Sequence, residues 1–384
     1  MHNWIRKAAL LFVAAVVALG LALLGMACGG DGEGEGGATA TPAATEAASP
    51  EGPAGVPKTP DLAAGWTKIE PGGDTICATG TPYAYFVHPG TVNRLVVYFQ
   101  GDGGCYNDVT CAGLLKKAVS DSDNPANHPQ GMFDLDNADN PFKDWFFVYI
   151  PYCTGDMHWG NNSQTYTVGT IHHKGFANFS AVLDWIGDNF EQPEKIFVSG
   201  ECAGSLGSIM GGPHIHQLYP DVPLYQLGDS WAGLSTEDSL QDAFQNWNPT
   251  DSLPGWIPAL LQVPWTQLGL AGYYIAVADY YPDDRWAQYN TAHDEHQTFS
   301  YAVIGGTGDW GQLMLASIQE IQDGAPNFHS YIAPGSIHRI TNDDIFYTRE
   351  VNGVKFVDWV EAMVNDQPWD SVMCTDCETD PEAQ

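Results

Sequence analysis

The sequence predicts an α/β fold, with a mostly parallel central sheet and helices on both of its faces. Short runs of apolar, β-branched and aromatic residues alternate along the chain with segments of helical periodicity. This alternation is typical of parallel strands joined by right-handed helical crossovers. Apolar residues make up 44% of the 384 residues and aromatic residues 12%, which is enough to fill a sizeable core.

Seven short runs are predicted to form strands. The first two, Tyr83–His88 and Arg94–Gln100, are predicted to form an early hairpin. The next two, Trp145–Ile150 and Lys195–Ser199, are predicted to be buried strands, because short apolar runs of this length are typical of a sheet core. Weaker strand candidates are Leu224–Gly228, Trp286–Asn290 and Phe328–Ala333.

Helical periodicity lies between these strands. One apolar face falls in residues 176–190 and another in residues 309–322. The spacing of three and four residues puts each set on one side of a helix, so both segments are predicted to pack against the sheet. The first set is Phe176, Phe179, Leu183, Ile186 and Phe190, and the second is Leu313, Met314, Ile318 and Ile321.

Residues 1–27 have the pattern of an export signal. Arg6 and Lys7 precede 20 uncharged residues that end in Leu24-Gly-Met-Ala-Cys28. The pattern is typical of a bacterial lipoprotein signal peptide, in which Cys28 is the acylated residue. The alternative is a retained membrane anchor, since about 20 apolar residues can span a bilayer. Both interpretations place the rest of the chain outside the cytoplasm and tether it to a membrane.

Residues 28–60 are predicted to be a flexible linker. They are mostly Gly, Ala, Thr, Glu and Pro, with almost no large apolar side chain. Such a segment cannot bury enough apolar surface to fold. Residues 61–384 are then predicted to form a single globular domain, since nothing inside them resembles a second linker or an internal repeat.

The chain is strongly acidic, with 14 Lys and Arg against 47 Asp and Glu and a formal net charge of −33. Binding of nucleic acid needs cationic side chains that displace counterions from phosphates. Nucleic acid is therefore excluded as a partner. A polyanionic substrate would also be repelled, at least at low salt.

Eight cysteines bear on the covalent structure of the chain. An exported protein can form disulfides. If Cys28 carries lipid, an odd number remains, so one thiol should be free. Cys105 and Cys111 are close in sequence on a Gly-rich loop, where they could pair locally.

A C-x-x-C motif lies near the C-terminus, at Cys374 and Cys377. A zinc site would need a second such pair, which the sequence does not contain. A redox motif would need a strand-helix context, whereas this motif lies in a polar tail. A local disulfide is therefore predicted. Cys77 and Cys153 are then expected to pair over a longer distance, which leaves Cys202 free.

Cys202 lies in an informative setting. The run Lys195–Ser199 is followed at once by Gly200-Glu-Cys-Ala-Gly204 and then by a helix-compatible stretch. This is the strand–turn–helix context of the nucleophile elbow G-x-S-x-G of α/β-hydrolases, with Cys where Ser is usual. The tight turn requires small residues two positions before and after the nucleophile. The N-terminus of the following helix favours a thiolate. The alternative is a buried structural Cys on a Gly-rich turn.

A second frame, Ala203-Gly-Ser-Leu-Gly207, also places small residues around a hydroxyl. Its Ser205 lies three residues further along, in the first predicted helical turn and away from the end of the strand. Cys202 is therefore favoured over Ser205 as the nucleophile.

A Gly-rich segment, Gln100-Gly-Asp-Gly-Gly-Cys105, follows an early predicted strand. α/β-Hydrolases place half of their oxyanion hole in such a loop. Backbone N–H groups there can converge on a developing oxyanion. The alternatives are an ordinary turn or a phosphate-binding loop, although the G-K-[ST] ending of a P-loop is not present in this segment.

A general base and an acid should follow the nucleophile in the chain, in the order acid and then His. His338 follows the last predicted strand, and Asp294 lies just beyond the preceding one. The chain contains twelve histidines, which compete for the role of the base. Asp279, Asp283 and Asp284 compete with Asp294 for the role of the acid.

Two further titratable residues, Asp156 and His158, are expected to line the same cleft. The adjacent His172 and His173 could bind a metal, but neighbouring residues rarely share a face. No metal and no organic cofactor is predicted.

The combined motifs resemble the pectin acetylesterase/Notum family of carboxylesterases. Each motif is short, but their order and spacing over residues 66–345 are specific. The matching segments are Ile76-Cys-Ala-Thr-Gly-Thr-Pro82, Val97-Tyr-Phe-Gln-Gly-Asp-Gly-Gly-Cys105, Pro151-Tyr-Cys-Thr-Gly-Asp156, His173-Lys-Gly-Phe176 with Asn178, the elbow at Gly200, Gly228-Asp-Ser230, Asp294-Glu-His-Gln297 and Pro334-Gly-Ser-Ile-His338.

The resemblance implies an α/β-hydrolase-like catalytic domain over residues 61–384, with a Ser–Asp–His triad. Carried over residue by residue, Cys202 takes the position of the Ser, Asp294 that of the acid and His338 that of the base. The Cys at the nucleophile position is a departure from the family pattern. A His-paired thiolate is a better nucleophile at neutral pH than a neutral hydroxyl, but its acyl product is a thioester.

The resemblance also implies three oxyanion donors, the backbone amides of Asp102, Gly103 and Ala203. It supports the disulfides Cys77–Cys153 and Cys105–Cys111. The loop departs from the family pattern at Gly104, where an aromatic residue normally precedes the Cys.

The sequence therefore predicts an exported, membrane-tethered carboxylic ester hydrolase that acts through an acyl-enzyme. The resemblance implies an O-acetylated glycan as substrate, and the net charge favours a neutral glycan or a small ester over anionic pectin. Two alternatives follow from the Cys at the Ser position. One is a non-enzymatic or weakened relative that binds a glycan or lipid, and the other is a thioesterase or acyl transferase.

Overall fold

The computed structural model describes residues 58–378. The predicted export signal, Cys28 and nearly all of the predicted linker lie outside these residues. Within the described range, no helix combines the length and the apolar character needed to cross a membrane.

A nine-stranded sheet forms the centre of the fold. The strands of the described residues are β1 (Thr67–Ile69), β2 (Tyr85–His88), β3 (Arg94–Phe99), β4 (Phe146–Ile150), β5 (Asn162–Tyr166), β6 (Gly169–His173), β7 (Lys195–Glu201), β8 (Leu224–Asp229), β9 (Arg285–Thr291), β10 (Phe328–Ala333), β11 (Glu350–Val351), β12 (Val354–Lys355) and β13 (Val372–Met373).

The sheet has the strand order β1-β2-β4-β3-β7-β8-β9-β10-β13. Neighbours from β4 to β13 in that order run parallel. The pairs β1–β2 and β2–β4 are antiparallel. The predicted mostly parallel sheet is therefore confirmed.

Helices surround this sheet. The α-helices of the described residues are α1 (Asp108–Gly113), α2 (Gly175–Asn189), α3 (Ala203–Leu218), α4 (Glu237–Trp247), α5 (Pro258–Gln262), α6 (Trp265–Tyr280), α7 (Glu295–Val303), α8 (Trp310–Gly324), α9 (Ile345–Thr348) and α10 (Phe356–Val364). The two predicted helices correspond to α2 and α8. In α2 the buried side is formed mainly by Phe179, Val182 and Ile186.

The predicted hairpin of the first two runs is wrong. Both runs are strands, but β4 lies between β2 and β3, antiparallel to the former and parallel to the latter. All five residues of β4 are buried. A strand buried in this way needs a partner along each edge, which β2 and β3 supply.

Three disulfides join the predicted pairs of cysteines. They are Cys77–Cys153, Cys105–Cys111 and Cys374–Cys377. Cys202 is the one cysteine of residues 58–378 outside a disulfide.

The C-terminal ends of the parallel strands gather the polar residues of interest at one edge of the sheet. Glu201 ends β7, Asp229 ends β8, and Asp294 and His338 follow β9 and β10. In parallel α/β sheets, ligands bind at this edge. Three helices that the sequence analysis did not predict, α4 to α6, lie in the connection between β8 and β9.

Candidate active site

Cys202 lies at a sharp turn between β7 and α3. Its backbone has φ 54° and ψ −123°, a conformation that non-glycine residues rarely adopt. Its N–H donates to the carbonyl of Asp229, 2.9 Å away, and so ties the turn to the neighbouring strand. Strained backbone of this kind persists where the surrounding structure fixes it, and it is concentrated at functional sites.

Two glycines make this turn possible. A Cβ atom at Gly200 would lie 2.2 Å from the carbonyl oxygen of Gly204. A Cβ atom at Gly204 would lie 1.9 Å from the carbonyl oxygen of Phe99. Any side chain would collide at either position, so the steric reason given for the small residues around Cys202 applies to this chain.

His338 and Asp294 form a buried pair next to this turn. His338 Nδ1 lies 2.8 Å from Asp294 Oδ2, and the two side chains are 7% and 0% exposed. The other ring nitrogen, Nε2, is buried and makes no hydrogen bond of standard geometry within residues 58–378. The carboxylate thus orients the imidazole through one nitrogen, and the other nitrogen is left for the interaction with Cys202.

Cys202 is close enough to His338 to change its protonation. Burial alone would lower the pKa of His338. The hydrogen bond that His338 donates to Asp294 and the interaction with Cys202 outweigh burial and raise this pKa to about 10. The imidazole therefore holds a proton firmly when the sulfur and the carboxylate are both charged.

Asp294 owes its position to a helix cap. It is the N-cap of α7, where its Oδ1 accepts the N–H of Gln297 at 2.9 Å. Its Oδ2 also accepts the Nε2–H of Gln297 at 2.9 Å. A capping side chain of this type is held by the helix start, so the carboxylate presented to His338 is fixed in place.

The segment that carries His338 is fastened to the end of β8. Asp229 Oδ2 accepts the N–H groups of Ile340 and Thr341 at 2.9 and 2.8 Å. Ser230 Oγ accepts the N–H of Arg339 at 2.9 Å. Asp229 and Ser230 are both completely buried. Strand-end carboxylates are a recognisable signal in sequence, but this anchoring role was not predicted.

The Gly-rich loop lies against the elbow. A Cβ atom at Gly101 would lie 2.0 Å from the carbonyl oxygen of Glu201 and 2.7 Å from Cys202 Cβ. Of the predicted oxyanion donors, Asp102 and Gly103 line the cavity at Cys202. Ala203 is the first residue of α3, where first-turn amides have no partner within the helix.

One of these predicted donors is already engaged. The N–H of Gly103 donates to Asp102 Oδ1 at 2.7 Å. The side chain of Asp102 is exposed, so it is free to move away. In this conformation the carboxylate occupies a hydrogen-bond donor that an oxyanion would use.

A cavity of about 740 Å³ opens at Cys202 and His338. Its wall is mostly apolar and comes largely from the Gly-rich loop, α4 and α7. The large apolar side chains in the wall include Leu114, Trp159, Leu206, Trp231, Leu240, Phe244, Trp247, Trp265, Leu270 and Phe299. The volume and lining suit an apolar group far larger than acetyl.

The competing nucleophile and two predicted cleft residues lie elsewhere. Ser205 is 1% exposed inside α3 and does not line the cavity. The expectation that Asp156 and His158 line the cleft is wrong, since both are buried behind it. Asp156 accepts the N–H of Gly175 at 2.7 Å, and His158 Nε2 lies 2.9 Å from the carbonyl of Gln100. His158 thus supports the start of the Gly-rich loop, and Asp156 supports the start of α2.

Potential metal ligands also occur at the site. The ligand atoms of Asp294, His296 and His338 lie within 4.8 Å of one another. The ring of His296 stacks on that of His338, with centroids 4.9 Å apart. Since Asp294 and His338 are already hydrogen-bonded to each other, the arrangement is better suited to proton transfer than to holding a metal.

Two charged residues at the site were not predicted. Glu201, immediately before Cys202, is 2% exposed and accepts the N–H of Gly101 at 2.9 Å through Oε1. Arg339, immediately after His338, has its Nη1 3.6 Å from Glu201 Oε2. Their positions next to the predicted nucleophile and base were the only sequence signal for a role.

Comparisons with known proteins agree with the architecture. Residues 67–248 match the family model described as Pectinacetylesterase. This region contains the Gly-rich loop and the elbow, and it ends before Asp294 and His338. Solved structures of the Drosophila Wnt deacylase Notum in two crystal forms superpose with TM-scores of 0.59 and 0.57. Each is 12% identical to this chain. The match covers 79% of this chain in both cases, and 94% and 93% of the two solved chains.

Two curated relatives match over a shorter stretch. One is the palmitoleoyl-protein carboxylesterase NOTUM of Schmidtea mediterranea, 26% identical over 144 residues, or 35% of this chain and 27% of the relative. The other is the palmitoleoyl-protein carboxylesterase notum2 of Xenopus laevis, which is 24% identical over 160 residues. This stretch is 38% of this chain and 31% of the relative. The chain thus matches less than a third of the length of either relative. Together the comparisons confirm the resemblance to the pectin acetylesterase/Notum family and the α/β-hydrolase fold.

Proposed function

We propose that this chain, as a relative of the pectin acetylesterase/Notum family, is a carboxylic ester hydrolase with Cys202 as its nucleophile. His338 is the general base and acid, and Asp294 orients and stabilises it. One observation carries the proposal. A buried His–Asp pair, 2.8 Å apart, leaves its second ring nitrogen for interaction with a cysteine held in a strained elbow.

The reaction begins with attack of Cys202 Sγ on the ester carbonyl carbon. A sulfur–carbon bond forms, and the proton of the thiol resides on His338 Nε2. When the tetrahedral intermediate collapses, the carbon–oxygen bond of the ester breaks and His338 returns the proton to the leaving alkoxide. A water molecule then gives a proton to His338 and attacks the carbonyl carbon of the thioester. The carbon–sulfur bond breaks, His338 returns the proton to Cys202 Sγ, and the carboxylic acid is released.

The oxyanion of each intermediate needs preorganised donors. The backbone amides of Asp102, Gly103 and Ala203 are proposed for this role, because they flank the sulfur from the Gly-rich loop and the start of α3. For the Gly103 amide to contribute, the carboxylate of Asp102 must first leave it.

The cavity supports an ester with an apolar acyl chain. Each methylene that a substrate buries contributes about 0.8 kcal/mol, so a space of about 740 Å³ lined by Trp, Phe and Leu favours chains longer than acetyl. The two curated relatives carry the name palmitoleoyl-protein carboxylesterase, which is consistent with this choice. An acetylated glycan remains the alternative substrate, in which case most of the cavity would stay unfilled.

The location of the protein is also a proposal. The lipoprotein-type pattern of residues 1–27 and Cys28 supports export and a lipid anchor in a membrane. The three disulfides are consistent with an oxidising, extracytoplasmic compartment.

Two other functions rest on the Cys in place of Ser. A weakened or non-enzymatic relative that binds a glycan or lipid is favoured by the occupied Gly103 amide. A thioesterase or acyl transferase is favoured by the thioester that Cys202 would form. Iodoacetamide tests the first, because slow alkylation of Cys202 near neutral pH in the folded protein would support it. Comparison of oxygen esters with thioesters tests the second.

The direct test measures hydrolysis by the folded protein of p-nitrophenyl acetate, butyrate and octanoate and of an acetylated glycan. We expect hydrolysis of the p-nitrophenyl esters, and no activity above background for Cys202→Ala. Full activity of Cys202→Ala would remove Cys202 from the mechanism.

A further inference from the structure

We propose that Glu201 is a positioning residue that fixes the Gly-rich loop against the nucleophile, and that Arg339 balances its charge. The inference rests on the proposed ester hydrolysis at Cys202. It goes beyond it because neither residue belongs to the triad or to the oxyanion donors.

The carboxylate of Glu201 holds the first residue of the loop. Its Oε1 accepts the N–H of Gly101 at 2.9 Å, although 100 residues separate the two. Gly101 is pressed so closely on the elbow that a Cβ atom would lie 2.7 Å from Cys202 Cβ. The amides of Asp102 and Gly103 come next in the chain, so the orientation of the Gly101 peptide determines where they point.

The buried charge of this carboxylate needs a partner. Burial raises the pKa of Glu201, while Arg339 and the N–H of Gly101 lower it. Glu201 Oε2 is buried and accepts no hydrogen bond within residues 58–378. Arg339 Nη1 lies 3.6 Å from this oxygen, beyond hydrogen-bond distance, so the two interact through their charges. An unpaired buried charge is costly, and Arg339 supplies the compensation.

Arg339 is itself held in an unusual place. Its φ is +74°, in the left-handed region that non-glycine residues seldom adopt. Its N–H donates to Ser230 Oγ at 2.9 Å, which keeps the backbone there. Because His338 is the preceding residue, the Glu201–Arg339 pair joins the base segment, the elbow and the Gly-rich loop.

The balance of charge matters because negative charge develops nearby during the reaction. An uncompensated Glu201 carboxylate would oppose both a charged sulfur and an oxyanion. Removal of Arg339 alone should therefore lower kcat more than removal of Arg339 together with the charge of Glu201.

The positioning role is tested with Glu201→Ala and Glu201→Gln and two readouts. The first is kcat and KM for p-nitrophenyl butyrate, and the second is the rate of alkylation of Cys202 by iodoacetamide, which needs no oxyanion donor. For Glu201→Ala we expect kcat to fall roughly ten- to a hundredfold, with KM and the alkylation rate changed much less. Glu201→Gln keeps a side-chain oxygen for the amide of Gly101 and should recover part of the loss. An unchanged kcat, or an equal loss in kcat and alkylation, would overturn the positioning role.

The charge role is tested with Arg339→Met and the double variant Glu201→Gln/Arg339→Met. We expect the double variant to have a higher kcat than Arg339→Met alone. Single losses that simply multiply in the double variant would overturn it. The matched control is the exposed pair at the opposite end of β7, where Arg94 Nε lies 3.1 Å from Glu194 Oε2. Arg94→Met and Glu194→Gln should leave kcat unchanged and show no coupling.

Cys202→Ala separates this inference from the proposed function. If Cys202→Ala keeps full activity, the proposed function fails, whatever the Glu201 variants do. If Cys202→Ala is inactive and Glu201→Ala has the kcat of the parent, only the positioning role fails. Circular dichroism and thermal unfolding of each variant show that the compared proteins are folded.

Discussion

His338 Nδ1 lies 2.8 Å from Asp294 Oδ2, although 44 residues separate them in the chain. The contact forms because β9 and β10 are parallel neighbours, so the segments that follow them leave the sheet at the same edge. Asp294 is also fixed as the cap of α7 by its two hydrogen bonds from Gln297. The geometry of the base is thus a consequence of strand order and of one helix start.

Asp294→Asn tests this relationship. The amide can still cap α7, but it cannot stabilise a protonated His338, so we expect kcat for p-nitrophenyl butyrate to fall by roughly a hundredfold or more. Asp309→Asn is the matched control, since Asp309 caps α8 in the same way through the N–H of Gln312. It should leave kcat unchanged. Equal activity of the two variants would contradict the role of Asp294.

Asp102→Ala should make the protein more active. The substitution frees the N–H of Gly103 and removes a negative charge from the place where an oxyanion would develop. The gain of one hydrogen bond in the transition state is worth about 1 kcal/mol, which corresponds to about a fivefold rise in kcat. A lower kcat for Asp102→Ala in steady-state assays would show that the carboxylate assists the reaction.

The apolar cavity predicts a dependence on acyl-chain length. We expect kcat/KM to rise from p-nitrophenyl acetate to octanoate, by up to about fourfold for each added methylene that is buried. Ala243 lines the cavity from α4. Ala243→Phe should reduce kcat/KM for octanoate much more than for acetate. If both esters lose activity equally, the cavity does not hold the acyl chain.

Buried His158 predicts that stability falls in mild acid. Burial lowers the pKa of His158 to about 4, against the opposing effect of its hydrogen bond with the Gln100 carbonyl. The unfolded chain takes up this proton near pH 6.5, so the contribution of His158 to stability is complete above that pH and declines as the pH falls towards 4. By about pH 5 the loss is on the order of 2 kcal/mol.

Asp156 acts in the opposite direction. Burial raises its pKa to about 6, so the folded chain takes up that proton first and gains stability as the pH falls from about 6 towards 4. The contribution of His158 is measured by urea unfolding of the parent and of His158→Gln, at neutral pH and at about pH 5. Between these two pH values the free energy of unfolding of His158→Gln should fall by about 2 kcal/mol less than that of the parent. An identical loss in parent and variant would show that His158 does not titrate as described.

Local sequence was enough to predict the parts of the site that local sterics control. The elbow could be predicted because Gly200 and Gly204 are positions where only glycine fits. The order of acid and base along the chain followed from the parallel strands that precede Asp294 and His338.

Contacts between distant segments were beyond prediction from the sequence. The placement of β4 between β2 and β3 depends on pairing that no local pattern encodes. Glu201 meets Gly101 across 100 residues, so its position beside Cys202 did not indicate this contact. The helix α6 is interrupted at Gly269, where φ is +63°, and its apolar residues follow no single helical face. The wall of the cavity was missed because it is assembled mainly from the Gly-rich loop, α4 and α7, which lie far apart in the chain.

Trapping of the acyl-enzyme tests the central claim most directly. The folded protein is mixed with p-nitrophenyl octanoate, quenched in acid, digested and analysed by mass spectrometry. We predict one octanoyl group, bound as a hydroxylamine-sensitive thioester, on the peptide that carries Cys202, and none on the Cys202→Ala variant. An acyl group on Ser205, or ester turnover by Cys202→Ala at the rate of the parent, would contradict the account.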